Sequence, residues 1–173
     1  MNEELQRAVE ILKELERRKA TNRMVDYAPY EYQKKFRGDK SSQRLLMAGN
    51  RVGKSFCGAM EMAYHVTGRY PTWWEGRKFT RPIRAWAGGV SNETTRDVCQ
   101  KELVGQPDDP EAKGTGSIPL KYIADTVRKA GVPNALNSVV VKHISGGNSR
   151  IGFKAYEMGK EKWMGESVDV IWL

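Results

Sequence analysis

Arg44-Leu45-Leu46-Met47-Ala48-Gly49-Asn50-Arg51-Val52-Gly53-Lys54-Ser55 is the stretch on which the fold turns. Its first five residues form a short apolar run that closes on Gly49, the pattern of a buried strand. From Ser55 to Val66 the apolar residues Phe56, Ala59, Met60 and Ala63 recur at helical spacing, so a helix follows the loop. A loop between a buried strand and a helix start gathers backbone N–H groups and the positive helix end around one point, where an anion is stabilised.

Ala48 to Ser55 resembles the phosphate-binding pattern G-x-x-x-x-G-K-[ST], with Ala48 in place of the first glycine and Gly49 one position later. Each residue type has a task in that pattern. Gly53 lets the backbone approach phosphate oxygens, Lys54 brings a flexible cation to the β and γ phosphates, and Ser55 offers a hydroxyl to Mg²⁺. Arg51 is a second cation in the loop. Positive φ at Ala48 would cost about 1–2 kcal/mol, so Ala48 is expected to end the strand with ordinary angles and Gly49 to take the turn.

Upstream, residues 2–19 place Leu5, Ala8, Leu12 and Leu15 on one face among charges, an amphipathic helix expected to pack on its own domain. Pro29 can open a second helix carrying Tyr30, Gln33 and Phe36. Downstream, Thr67 to Pro82 reads as a long ordered connection pinned by Trp73, Trp74 and Phe79. Ile83 to Ala87 reads as a strand, and Ser91 or Asn92 can cap the helix after it. A helix is expected around Leu120 to Ala130. A hairpin follows, from Val139 to Ile144 and Arg150 to Tyr156 around Gly146-Gly147-Asn148, and then a last buried strand from Val168 to Leu173. Strands alternating with helices predict an α/β domain with a mainly parallel sheet.

Composition narrows the function. The 29 basic and 21 acidic side chains leave a net charge of +8, and residues 41–104 hold 10 basic against 5 acidic groups. Such a balance suits a polyanionic partner, nucleotide or nucleic acid, or a solubilising surface. No apolar run approaches the roughly 18 to 20 residues of a membrane span, so no membrane partner is expected. Cys57 and Cys99 form no C-x-x-C, which suggests neither a disulfide framework nor a zinc site, and both are expected reduced and buried. His65 and His143 read as structural.

Taken together, the A-G-N-R-V-G-K-S loop, Pro29-Tyr30-Glu31-Tyr32-Gln33 before it, Thr67 to Trp74 after it and Gly165 to Leu173 at the end resemble the large terminase subunits that package DNA into tailed bacteriophage heads. The resemblance covers most of the chain from about Tyr27. It implies a P-loop NTPase fold of the RecA/ASCE-like kind, with residues 1–24 as an N-terminal helix, residues 25–173 as a partial ATPase domain, and no nuclease domain. It implies ATP and Mg²⁺ as cofactors, held by Gln33, Gly49, Asn50, Arg51, Val52, Gly53, Lys54 and Ser55. Of these, Lys54 and Arg51 act on the transferred phosphate and Ser55 on the metal. Gln33 would read the adenine edge, its amide matching N7 and N6–H; Tyr30 is either a base-stacking or a core residue. Double-stranded DNA, portal protein, small terminase subunit and a homo-oligomeric ring follow as partners, in the cytoplasm of the bacterial host.

In such motors an Asp and a Glu follow the strand that here ends at Leu173, so the chain is expected to be an amino-terminal part, incomplete at the C-terminus and poorly active in hydrolysis. Asp169 is no substitute, because it stands at the wrong end of its strand. Arg150 and Arg128 are both candidates for an arginine acting in trans. Arg69, Arg77, Lys78, Arg81 and Arg84 form either a DNA-facing or subunit-facing surface or a solvated one. Two other readings stay open: a helicase-like translocase with the same core, and a non-catalytic remnant or interaction module working through the Leu5 to Leu15 helix.

Overall fold

A computed structural model describes residues 3–173, with side chains described for all but residue 3 and residues 14–21. Strand β1 (Arg84–Gly89) lies within a five-stranded sheet of order β2-β3-β4-β1-β5, completed by β2 (Ile123–Arg128), β3 (Leu136–Lys142), β4 (Asn148–Ala155) and β5 (Val170–Trp172). β4 and β5 both run parallel to β1, whereas β2–β3 and β3–β4 are antiparallel. The sheet is therefore mixed, not mainly parallel as expected. The hairpin around Gly146 and Gly147 supplies two antiparallel partners with one tight turn, which a parallel crossover cannot do.

Four helices precede the sheet in the chain: α1 (Glu3–Thr21), α2 (Arg23–Asp26), α3 (Glu31–Gly38) and α4 (Lys54–Thr67). The amphipathic helix forms, but Leu5, Ala8 and Leu12 are exposed, so its apolar stripe is not packed on the domain as expected. Asn2 and the side chains of Leu15 and Lys19 lie outside the described residues. No described helix is long and apolar enough to cross a membrane.

α4 carries the core. From Cys57 onward all but one of its residues are buried, and Ala59, Met60, Ala63 and Val66 belong to one apolar cluster with Ala85, Ala87, Val139, Val141, Ile151 and Phe153 of the sheet. The helix stops at Gly68, whose φ of 67° allows its N–H to close on the Tyr64 carbonyl. The connection after it is pinned as expected: Tyr64 meets Trp73 and Trp74 edge-on at 6.1 and 5.5 Å, and His65 meets Phe79 at 5.1 Å. Ser91 caps the next helical segment by accepting from the Thr94 N–H. Both cysteines are buried and unbridged.

Two predicted elements are not found. Leu120 to Ala130 forms a single 3-10 turn (Leu120–Tyr122) followed by strand β2. Its short apolar run suits either state, and the open edge of β3 decides for pairing. Arg44 to Ala48 belongs to no strand, and Leu45 and Met47 are 80% and 82% exposed. An apolar run reads as buried whether or not the fold brings a strand beside it; here none of the described strands lies against it.

Gly76 fastens the Trp-rich connection to α3, because a Cβ there would sit 2.1 Å from the Arg37 carbonyl oxygen. Gly76→Ala is expected to cost about 1–3 kcal/mol through overpacking. Chemical denaturation measures this; an unchanged midpoint would contradict the packing.

Candidate functional site

The predicted loop sits where the largely exposed 45–49 segment enters α4. Gly53 caps the helix in the left-handed region (φ 79°), and Arg51 also takes positive φ (61°). Ala48 keeps ordinary angles as expected, but Gly49 does not make the left-handed turn; it falls two and four residues later, at Arg51 and Gly53. The chain therefore reverses immediately before the helix, and the glycine that needs its freedom is Gly53.

The first helical amides, of Lys54, Ser55 and Phe56, have no backbone carbonyl partner among the described residues; the first closing bond runs from the Cys57 N–H to the Gly53 carbonyl, at 2.8 Å. Those N–H groups carry the positive end of a helix of 14 residues. Ser55 is exposed beside them. Lys54 is folded back across the loop, its Nζ donating to the Ala48 carbonyl at 2.8 Å and to that of Gly49. Asn50 and Arg51 are exposed, and Arg51 makes no ion pair among the described residues. Val52 offers its carbonyl to the Tyr32 hydroxyl.

Helix α3 flanks the loop. Gln33 is 2% exposed, and its amide is oriented by groups that can act in only one sense. The Tyr30 backbone N–H, a donor only, lies 3.1 Å from Oε1, which also accepts from the Tyr27 hydroxyl at 2.7 Å. Nε2 faces the Gly53 carbonyl at 3.5 Å and the Tyr32 hydroxyl at 3.4 Å. Tyr30 is not a core residue: it is exposed and stacks on Tyr32 with centroids 5.8 Å apart and planes 9° from parallel.

Arg44 anchors the segment leading into the loop. Its guanidinium donates to the Phe36 carbonyl at 3.0 Å, lies over the Phe36 ring and pairs with Glu61 of α4. His65 supports the same carboxylate at 3.4 Å and meets the Tyr70 hydroxyl at 3.0 Å, so it is structural, as expected. Burial raises the Glu61 pKa, but hydrogen bonds from His65 and Arg44 and the Arg44 charge outweigh burial and hold it below its ordinary value.

The remaining predicted residues lie elsewhere. Asp169 stands just before β5 and binds Arg81 at 2.6 Å and the Arg84 N–H at 3.0 Å, at the amino end of the parallel strands. Arg84 also faces Glu166 at 3.6 Å, and Arg69 lies over Tyr122, so these basic side chains already have partners. Arg150 stands in register with Arg84, and Arg128 ends edge strand β2. Sequence reasoning passed over Tyr27 and Arg37, whose roles depend on contacts between elements that no local pattern encodes.

An α/β chain with a Lys- and Ser-bearing helix start that no side chain caps, beside a buried Gln, is the kind of protein that the site and fold define. Comparison with known proteins places it further. Residues 45–173 match the family described as "Terminase large subunit, T4likevirus-type, N-terminal". The chain is also 34% identical over 190 aligned positions to the terminase large subunit of Salmonella phage P22, an alignment that takes in 99% of this chain and 38% of that relative. No solved structure matches it. The chain belongs to the terminase large-subunit family, and it spans well under half the length of the P22 relative.

Because the folded-state pKa of Glu61 lies below its unfolded value, the Arg44–Glu61–His65 contact contributes its full stability above the ordinary Glu range, about pH 4.3, and loses it as pH falls through the depressed value. Stability measured against pH should fall in that acid window, and Glu61→Gln should flatten the fall. An identical acid slope in the variant would contradict the assignment.

Proposed function

We propose that this chain is the nucleotide-binding part of a viral motor that hydrolyses ATP to drive double-stranded DNA into a capsid shell. The observation that carries the reading is the α4 start, with three first-turn amides unpaired among the described residues, beside Lys54 and an exposed Ser55, in a chain of the terminase large-subunit family. These residues fit a Mg-nucleotide. Gly53 has no side chain to obstruct a phosphate, the amides are donors, and the Ser55 hydroxyl is a hard oxygen ligand. Lys54 holds two loop carbonyls and would exchange them for phosphate oxygens. Mg²⁺ bound at Ser55 would neutralise phosphate charge. Asn50, Arg51 and Val52 would line the same loop, Arg51 adding a second cation.

Gln33 has a narrower part than reading adenine by a matched donor and acceptor. With Oε1 committed to Tyr27 and Tyr30, Nε2 is the group it would offer to a base, exchanging its 3.4 Å contact with the Tyr32 hydroxyl for the N7 that adenine and guanine share. The exposed Tyr30–Tyr32 pair would stack on the base. Double-stranded DNA, portal protein, small terminase subunit and further copies in a ring are the proposed partners in the host cytoplasm; their assignment rests on the family.

Isothermal titration with Mg-ATP tests the reading. Binding is expected for the wild-type chain, with GTP within about tenfold of ATP because N7 is common to both. Lys54→Ala is expected to abolish it. Absence of Mg-ATP binding, or binding indifferent to Lys54→Ala, would overturn the reading.

A further inference from the structure

The buried Arg37 is a group that neither the loop pattern nor the family description assigns. It is 1% exposed, yet among the described residues it forms no ion pair and its Nε and Nη1 have no hydrogen-bond partner. An unpaired guanidinium in the interior is costly, and hydrocarbon of the same shape would serve packing better. What bonds it does make point one way. Nη2 donates to the Cys57 carbonyl of α4 at 2.8 Å and to the Tyr27 hydroxyl at 3.0 Å, and the plane lies over the Tyr27 ring at 4.8 Å. Tyr27 in turn donates to Gln33 Oε1 at 2.7 Å, and Gln33 Nε2 faces the Gly53 carbonyl at 3.5 Å.

The donor order in this relay is forced. Arg37 can only donate, so the Tyr27 oxygen accepts from it and spends its single hydrogen on Gln33. Gln33 then has its acceptor filled and its donor turned toward the residue that caps α4. Two branches from one guanidinium thus reach the loop, one through the Cys57 carbonyl and one through Tyr27 and Gln33. A buried cation close to the helix start also adds to the positive potential there.

We propose that Arg37 and Tyr27 are positioning residues for nucleotide binding, setting the Gln33 amide and the Gly53 turn through a buried relay that ends on the α4 start. This rests on the proposed function above and names the residues that tune the same site. Its mark is a separation of affinity from stability. Tyr27→Phe keeps the ring that packs edge-on to Phe56 at 5.3 Å and removes only the hydroxyl. Arg37→Met removes a buried unpaired charge at similar volume.

Isothermal titration of the 173-residue chain with Mg-ATP, alongside thermal melting, tests it. Each variant is expected to lose about five- to tenfold in affinity, the scale of one lost hydrogen bond, while Arg37→Met melts no lower than wild type. Tyr27→Phe combined with Gln33→Ala is expected to lose no more than Gln33→Ala alone, since both act through one chain of bonds. Wild-type affinity in Tyr27→Phe and Arg37→Met, with binding lost in Lys54→Ala, would overturn the relay and leave the nucleotide site standing. Multiplied losses in the double variant would also overturn it. A wild-type chain that binds no Mg-ATP would overturn both. If Arg37→Met does not fold, Tyr27→Phe decides alone.

Discussion

Burial of α4 is the constraint on which the rest depends. The helix packs in one cluster with the sheet, and its Tyr64 packs against Trp73 and Trp74, so it can neither rotate nor slide without opening the core. Its N-terminus is consequently a fixed point, and the loop that enters it inherits that position. Gly58 allows the same closeness on the sheet side, because a Cβ there would meet the Trp172 indole at 2.5 Å. The fold thereby presents one unsatisfied helix end at a rigid location while surrounding loop residues remain exposed.

Polar side chains tie the flanking elements to that helix. Glu61 and His65 on α4 hold Arg44 and Tyr70, and Cys57 holds Arg37 through its carbonyl. Each bond joins a flanking segment to the buried part of α4. The segment from Arg44 to Ala48 shows the principle most clearly: no ladder pairs it, so its attachment at Arg44 is electrostatic and its apolar residues Leu45 and Met47 face outward. The amino end of the parallel strands uses the same chemistry, where Asp169 accepts from Arg81 and from the Arg84 backbone and closes β5 onto β1.

Much was legible without coordinates because it depends on neighbours in the chain. The α4 pattern of Phe56, Ala59, Met60 and Ala63, the Gly146-Gly147 hairpin and the Ser91 cap are set by side-chain period and turn chemistry, and all three are found. The glycine-lysine-serine loop was visible for the same reason. Leu120 to Ala130 was not, because a short apolar run carries no information on whether β3 will have an open edge beside it.

By itself, the sequence determined that an α/β chain would carry a loop of Gly53, Lys54 and Ser55 at the start of a buried helix, since helix and turn preferences act over a few residues. Only the tertiary structure decided that the sheet is mixed, that Arg44 to Ala48 stays outside it, and that Gln33 is turned by Tyr27 and Arg37 so that its donor faces Gly53. Those outcomes depend on which distant elements lie side by side and on where buried polar groups find partners, and neither is written in local spacing.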